Sequence, residues 1–264
     1  MTSTSRAKSF DRVAAAYDAV RPGYPGGLYE RIIEYGSLTP QSRVLEVGVG
    51  TGKATTPLAE RGFEIFGIEP GADLSSIARA NLARFPRVSI ATTTFEAWTV
   101  EPGAFGLAFS AQAFHWLSPE LRVRRFAEAL HADGVLAVFG NAPQPPAGRL
   151  GDDLAAVYRM SAPSLSFRRA AERWYTTAAS PLARELGESR LLQDAEFKSF
   201  EWQYALDAAS YCRLLSTYSD HSALPESQLA GLLAKVSDVV QSHGGTLTLP
   251  YRTGLYLARR RAEA

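Results

Sequence analysis

The sequence has 264 residues, of which 46% are hydrophobic and 21% charged, and its formal net charge is +1. These values are typical of a globular α/β protein, and they argue against a general nucleic-acid-binding protein, which usually has a basic excess. The single cysteine, Cys212, excludes an internal disulfide, and no Cys/His spacing indicates a zinc site. The first residues lack the apolar core of a signal peptide and no apolar run is long enough to span a membrane, so we expect a cytoplasmic protein without metal or membrane contacts.

The first half of the chain predicts alternating helices and strands. Apolar residues at helical spacing cover 10–20 and 28–36, and a segment rich in proline and glycine separates these helices. Further along, the pattern predicts helices and short strands in alternation, with helices at 53–61, 73–84 and 119–131 and strands at 43–47, 63–68, 88–91, 105–109 and 134–139. Five strands separated mostly by helices predict a mostly parallel sheet with helices on both faces.

The pattern changes after Gly140. Residues 141–146 are interpreted as a linker or as a loop at the carboxyl edge of the sheet. The remaining elements are predicted as helices within 151–190, to which Trp174 and Tyr175 contribute large apolar side chains, a strand at 197–206, helices at 208–216 and 226–242, and a last strand from 246–249 and 253–258. The run Arg259-Arg260-Arg261 is interpreted as a solvated chain end.

A glycine-rich turn, Gly48-Val49-Gly50-Thr51-Gly52, lies between the first predicted strand and a helix. Its glycines permit positive φ angles and close approach of a ligand, and the helix start offers free N–H groups. The turn does not fit a P-loop, because Val47 stands where the first glycine would be and Ala54 follows Lys53. It also departs from the dinucleotide fingerprint, because its third glycine comes one position too early.

Two acidic residues accompany this turn. Glu46 precedes the first glycine by two residues, where its carboxylate would repel a pyrophosphate and attract the ammonium group of an amino-acid moiety. Glu69 ends the second predicted strand, nineteen residues after Gly50, where an acid accepts hydrogen bonds from ribose hydroxyls in this architecture. The alternatives are a plain tight turn with two solvated surface acids, or a nicotinamide cofactor.

These segments resemble the motifs of the class I S-adenosylmethionine (SAM)-dependent methyltransferases. Residues 44–52 look like the first motif and 66–70 like the second, 105–117 fall where the fourth should be, and 130–136 resemble the turn before the fifth strand. The resemblance covers about residues 10–140 and is closest to small-molecule enzymes of the ubiquinone/menaquinone and trans-aconitate type. It implies a Rossmann-like seven-stranded sheet with an antiparallel last strand, SAM as cofactor and S-adenosylhomocysteine as product.

The resemblance also implies roles for individual residues. The residues expected to hold the cofactor are Glu46, Gly48, Gly50, Gly52, Glu69 and Pro70, with Phe95 and Glu96 on the adenine side, and Ser110 and Gln112 after the fourth strand. For Phe95 the alternative is a core position behind a helix cap at Thr94. Tyr17 and Arg21 lie in a segment that forms a lid in similar enzymes, where they could contact cofactor or substrate. Ordinary capping of the sheet is the alternative for both.

His115 is the candidate general base, because it is the only histidine in the edge region after the fourth strand and imidazoles titrate near neutral pH. The alternative is that it packs beside Trp116 at a helix entrance. His221 is a second candidate base. Three arginines in the predicted helical insert could bind an acidic substrate or simply form a solvated helix face: Arg168, Arg169 and Arg173. Cys212 is expected to be a buried apolar residue.

We therefore predict one methyltransferase domain in four parts. These are an N-terminal helical lid (1–37), a SAM-binding core (38–141), a helical insert or cap (142–195), and C-terminal strands and helices that complete the sheet (196–264). The predicted function is SAM-dependent methylation of a small organic molecule at oxygen, nitrogen or carbon. The alternatives are a nicotinamide-dependent oxidoreductase, and a SAM-binding protein or cyclase on the same scaffold without methyl turnover.

Overall fold

A computed structural model describes residues 18–165 and 175–262. Its strands form one seven-stranded sheet and comprise β1 (Arg43–Val47), β2 (Glu64–Ile68), β3 (Val88–Ala91), β4 (Phe105–Ala111), β5 (Leu130–Pro143), β6 (Leu192–Asp207) and β7 (Thr246–Arg260). The strand order is β3-β2-β1-β4-β5-β7-β6, and β7 runs antiparallel to both of its neighbours. The predicted Rossmann-like sheet with an antiparallel last strand is confirmed.

Helices cover both faces of this sheet. The described helices of five or more residues are α1 (Gly26–Gly36), α2 (Thr56–Glu60), α3 (Ala72–Leu82), α4 (Arg122–Ala129), α5 (Gly148–Ser161), α6 (Pro181–Glu188), α7 (Ala208–Ser216) and α8 (Glu226–Ser242). Strand β1 shows why helices must cover both faces, because its successive apolar side chains point to opposite faces of the sheet. Val44 shares a buried cluster with α1 and α2, whereas Leu45 shares another with α4 and α6.

A third buried cluster lies beside the end of β6 and the start of β7. It joins α5, α7 and α8 through residues such as Leu154, Leu214 and Val236, and it includes Leu206 and Leu249 from the two strands. We call the three helices the cap. Helix α8 packs against α5 and α7, and α7 and α8 also contact β6 and β7 of the sheet.

Several boundaries differ from those predicted. Strand β5 continues through residues 141–143, where Asn141 lies opposite Thr253 of β7, so the predicted loop begins only after Pro143. The predicted helix at 119–131 is shorter and ends at Ala129, because Leu130 already pairs with β4. The helices predicted at 208–216 and 226–242 are confirmed.

The interpretation of the arginine run at the end of β7 as a solvated end is wrong for Arg259 and Arg260, whereas Arg261 is exposed. Arg259 donates to the backbone oxygens of Tyr35 and Asp133, and its guanidinium carbon lies 4.8 Å from the centre of the Tyr35 ring. Arg260 donates to the backbone oxygen of Leu130, and Arg261 to that of Leu192 at 2.9 Å. These side chains therefore fasten β7 to α1 and to the starts of β5 and β6.

Some predictions fall outside the described residues, namely the helix before residue 18, Trp174 and the three arginines at 168, 169 and 173. Tyr175 is described and fully buried.

None of the described helices has both the length and the apolar character that crossing a membrane requires.

Candidate active site

The glycine-rich turn follows β1 at the carboxyl edge of the sheet. Its glycines Gly48, Gly50 and Gly52 have φ angles of +82°, +59° and +90°. A Cβ atom on Gly48 would overlap the side chain of Ala113, and one on Gly52 would lie 2.9 Å from Leu82, whereas a Cβ on Gly50 would meet nothing within 4 Å. Packing therefore requires the outer two glycines, and the middle one faces open space where a ligand can reach the backbone.

Glu69 connects this turn to the next strand and helix. Its Oε2 accepts a hydrogen bond from the backbone N–H of Gly50 at 2.8 Å, and its Oε1 accepts one from Gly71, which precedes α3, at 2.9 Å. Glu69 is only 5% exposed, while Pro70 beside it is exposed. The alternative of a solvated surface acid is therefore wrong for Glu69.

Glu46 is fully buried beneath the same turn. Its Oε2 accepts a hydrogen bond from the hydroxyl of Thr55 at 2.6 Å, while its Oε1 has no hydrogen-bond partner within the described part of the chain. Burial raises the pKa of Glu46 to about 8, the hydroxyl of Thr55 opposes this, and the charge of Glu69 adds to it. A solvated position is again wrong, and the unpartnered oxygen suits a donor or cation supplied by a ligand.

The end of β4 brings Ser110 and Gln112 to the same edge, in different surroundings. Ser110 is fully buried and donates to the backbone oxygen of Val47 at 2.9 Å, so its side chain joins β1 to β4 and does not line an open site. Gln112 has a φ of +54°. Its side chain accepts a hydrogen bond from the hydroxyl of Tyr24 at 3.2 Å and donates to the backbone oxygen of Asn141 at 3.3 Å.

His115 lies on the 3-10 helix Phe114–Trp116, immediately after β4. Its Nδ1 lies 2.7 Å from the hydroxyl of Tyr175, and its ring centre lies 4.3 Å from that of Trp116. The contact with Trp116 is the one expected for a packing role. The bond to Tyr175 was not predicted.

A buried ion pair holds the turn that carries His115. Arg122 is 3% exposed and donates to the backbone oxygens of Phe114 at 3.2 Å and Leu117 at 3.5 Å. The same guanidinium pairs with the carboxylate of Glu185 on α6, whose Oε1 lies 2.7 Å from Nε. The position of the histidine therefore depends on a contact between α4 and α6.

The expected adenine side divides into a core residue and a partly exposed one. Phe95 is 2% exposed, with its ring centre 4.7 Å from that of Phe126, and the hydroxyl of Thr94 accepts a hydrogen bond from the backbone N–H of Ala97 at 3.2 Å. This arrangement favours the core alternative for the Phe95 side chain. Glu96 is partly exposed, and its Oε1 accepts from the backbone N–H of Ser118 at 3.1 Å.

Residues 18–24, which we call the strap, lie across the carboxyl edge. The guanidinium of Arg21 donates to the hydroxyl and backbone oxygen of Thr217, each at 2.9 Å, and lies 4.2 Å from the ring centre of Tyr218. Its expected contact with cofactor or substrate stays a prediction. Tyr17 lies outside the described residues. The backbone oxygen of Gly23 accepts a hydrogen bond from Asn141 at 2.9 Å.

The family model described as a methyltransferase domain matches residues 44–134. This segment runs from β1 into β5 and includes the glycine-rich turn, Glu69 and the turn that carries His115. Residues 44–134 thus match a methyltransferase domain. SAM is the cofactor of this family, and the unpartnered oxygen of Glu46 and the open approach to Gly50 fit it.

Curated relatives share this methyltransferase domain. An uncharacterized methyltransferase of Mycobacterium tuberculosis is 30% identical over 133 residues, which is 50% of this chain and 52% of the relative. A probable S-adenosylmethionine-dependent methyltransferase of Saccharomyces cerevisiae is 31% identical over 136 residues, or 50% of this chain and 46% of the relative. The chain thus spans about half the length of these curated relatives.

Solved structures share the fold over most of the chain. A candidate type II methyltransferase from Anaeromyxobacter dehalogenans superimposes with a TM-score of 0.61 at 22% identity and covers 92% of this chain and 98% of its own. A phosphoethanolamine N-methyltransferase of Haemonchus contortus, solved with S-adenosylhomocysteine, gives 0.55 at 14% identity and covers 95% and 57%. The cyclase SpnF gives 0.59 at 18% identity and covers 99% and 97%.

His221 lies between α7 and α8 of the cap and is only 1% exposed. Its Nδ1 lies 2.8 Å from the carboxylate of Asp220, and its Nε2 lies 2.8 Å from the hydroxyl of Tyr158 on α5.

Cys212 is partly buried, and its thiol donates a hydrogen bond to the backbone oxygen of Leu233 at 3.4 Å. Burial raises the pKa of the Cys212 thiol. Within the described ranges, no group of three His, Cys, Asp or Glu side chains could hold a metal ion.

Several contacts at the site were missed from the sequence. Asn141 is 3% exposed and accepts a hydrogen bond from the hydroxyl of Thr253 at 2.6 Å, in addition to its bond to the strap. Asn81 on α3 donates to the backbone oxygen of Thr51 at 3.0 Å and to Asp18 of the strap at 3.2 Å. The one available signal was a polar residue, Asn141, at the end of an otherwise apolar strand.

Proposed function

We propose that the chain binds SAM along the carboxyl edges of β1, β2 and β4 and transfers its methyl group to a small organic molecule. The observation that carries this proposal is the open backbone at Gly50 between two buried acids, one of which has an oxygen without a partner. When bound, SAM supplies a sulfonium-activated methyl group that an electron-rich oxygen, nitrogen or carbon atom can displace in line.

Under this proposal the two acids have different tasks. Glu69 keeps the hydrogen bonds that it accepts from Gly50 and Gly71. It also accepts hydrogen bonds from the ribose hydroxyls, because it lies at the end of the neighbouring strand. Glu46 accepts the ammonium group of the methionine moiety, whose positive charge favours the ionised carboxylate and counters the cost of burying it. A pyrophosphate in place of that ammonium group would be repelled by Glu46.

The neighbouring residues position the reactants. The outer glycines, Gly48 and Gly52, keep the turn closed against the fold, and Gln112 contributes a polar side chain at the methionine end. The strap covers the edge and limits the access of water, which would otherwise compete with the acceptor. We expect the strap, the cap, the end of β6 and the start of β7 to form the walls of the acceptor chamber.

A small acceptor suits the net charge of the chain and the aromatic side chains of this region. The net charge of +1 gives no basic excess for a nucleic acid. Aromatic side chains lie where the strap meets the cap and outer strands, since Tyr218 contacts Arg21 and the rings of Trp202 and Tyr251 stack with centres 4.8 Å apart. Ligand chambers for small organic molecules are commonly lined in this way.

Isothermal titration calorimetry with SAM, S-adenosylhomocysteine and NAD⁺ tests the cofactor. We expect binding of the first two and none of NAD⁺, and the reverse result would favour the oxidoreductase alternative. Glu69→Gln removes charge-assisted hydrogen bonds worth about 1.5–3 kcal/mol, so we expect SAM to bind roughly 10- to 100-fold more weakly. Glu64→Gln, at the other end of β2, is the matched control and should bind SAM like the wild type.

Methyl transfer is tested by the release of S-adenosylhomocysteine in the presence of a panel of small carboxylates, phenols and amines. Turnover with at least one of these acceptors supports the proposal. Tight SAM binding without any turnover would favour the alternative of a SAM-binding protein or cyclase on the same scaffold.

A further inference from the structure

Tyr175 is seated on the sheet in a way that only glycines allow. Gly140 of β5 lies opposite Gly254 of β7. A Cβ atom on Gly140 would lie 2.6 Å from the Tyr175 ring, and one on Gly254 would overlap the Tyr175 backbone. This glycine pair lets residue 175 cross directly over the sheet, and the side chain is fully buried there.

From this seat the Tyr175 side chain reaches the end of β4. Its hydroxyl lies 2.7 Å from Nδ1 of His115, and the two rings meet edge to face with centres 5.6 Å apart. Because both the backbone and the ring of Tyr175 lie directly on the sheet and the side chain is fully buried, the hydroxyl has little freedom to move away. The contact therefore orients the imidazole as well as touching it.

The direction of this hydrogen bond follows from the surroundings of the phenol. Burial raises the pKa of Tyr175 well above its ordinary value, so the hydroxyl stays protonated. Among the described residues, Nδ1 of His115 is the hydrogen-bond partner of this hydroxyl, so the buried O–H donates its hydrogen there and is not left unsatisfied.

We propose that Tyr175 is a positioning residue that fixes neutral His115 as its Nε2–H tautomer, so that His115 acts as a hydrogen-bond donor and not as the general base. A neutral imidazole carries one proton, so a ring that accepts at Nδ1 carries its hydrogen at Nε2. That nitrogen can donate to an oxyanion or carbonyl oxygen, but it cannot remove a proton.

This inference rests on the proposed function for its chemical meaning and narrows the acceptor class. His115 follows β4, at the edge where the cofactor and the acceptor meet. A donor at this place favours an acceptor molecule that offers an electron-rich oxygen, such as a carboxylate, a phenolate or an enolate. Such a molecule needs no proton removed by His115 during methyl transfer.

Nuclear magnetic resonance of ¹⁵N-histidine-labelled protein tests the tautomer directly. Spectra are recorded at a pH where the ring signals no longer shift, and His115→Gln assigns the signals of this residue among the four histidines. We expect a protonated Nε2 and an unprotonated Nδ1 in the wild type. A protonated Nδ1 in the wild type would overturn the proposal.

Tyr175→Phe keeps the ring on the glycine pair and removes the hydroxyl. We expect the two nitrogen signals of His115 to lose their separation and move toward average values. Tyr256→Phe is the matched control, because Tyr256 is equally buried and its hydroxyl contacts Thr177 and Ser180 and not His115. An unchanged tautomer in Tyr175→Phe would refute the positioning role.

The calorimetric titration with SAM separates this inference from the proposed function. Protein that fails to bind SAM but shows the Nε2–H tautomer contradicts the function and supports the role of Tyr175. Protein that binds SAM but shows the Nδ1–H tautomer contradicts only the role assigned to Tyr175.

Discussion

Glu46 should make the stability of the ligand-free protein fall as pH rises. Its pKa lies near 4.5 in the unfolded chain and at about 8 in the fold, so between these values the folded state binds more protons than the unfolded state. Raising the pH through this window therefore destabilises the fold. The shift, at about 1.4 kcal/mol per unit, sets an upper limit of about 5 kcal/mol for the loss.

Glu46→Gln removes this titration while preserving an oxygen that can accept the hydrogen bond from Thr55. The new amide brings buried N–H groups whose cost of about 1–3 kcal/mol does not depend on pH. The readout is therefore the slope of stability against pH rather than its value at one pH. Between pH 5 and pH 9, we expect the unfolding free energy of the variant to rise by several kcal/mol relative to that of the wild type.

Urea unfolding followed by circular dichroism at pH 5, 6, 7, 8 and 9 measures these slopes. Glu60→Gln, which changes an exposed carboxylate on α2, is the matched control and should follow the wild type. Parallel stability curves for the wild type and Glu46→Gln across this range would refute the reasoning.

Three further changes test other parts of the site. Gly50→Ala should cost about 1–2 kcal/mol in unfolding free energy, from its positive φ, and weaken SAM binding in calorimetry, whereas Gly48→Ala should lower the thermal midpoint more because of its overlap with Ala113. Arg122→Met leaves Glu185 without its cation and should destabilise by about 2–3 kcal/mol in urea, which a double variant with Glu185→Leu should largely restore. Asn141→Ala should speed amide hydrogen exchange in the strap, measured by mass spectrometry, and leave exchange in β2 unchanged.

The part of the site that was predictable from sequence is the part built from neighbours in the chain. Strand β1, the glycine-rich turn and Glu69 follow one another within a few tens of residues, and their glycine spacing and apolar runs are local signals. The seven-stranded sheet with its antiparallel last strand followed from the resemblance of these same segments. The burial of Glu46 was not predicted, because the alternation of a short strand does not show which helix will cover it.

The contacts that complete the site join distant segments. His115 and Tyr175 are 60 positions apart, Arg122 and Glu185 are 63 apart, and Asn141 lies 118 positions from the strap residue it binds. Periodicity tells which side of an element is buried and nothing about the partner that buries it. The sequence pattern places Gly140 at the end of a strand, but the role of this glycine depends on Gly254 of β7, which lies opposite it.

The strap makes the cofactor site and the cap mechanically dependent on each other. Asp18 at one end receives a hydrogen bond from Asn81 and lies 3.7 Å from Lys53, both beside the glycine-rich turn. Three residues later, Arg21 is bound to the end of α7 in the cap. So short a segment cannot shift at one end without straining the contacts at the other. We therefore expect a cofactor that orders the glycine-rich turn to stabilise the contacts of Arg21 with the cap as well.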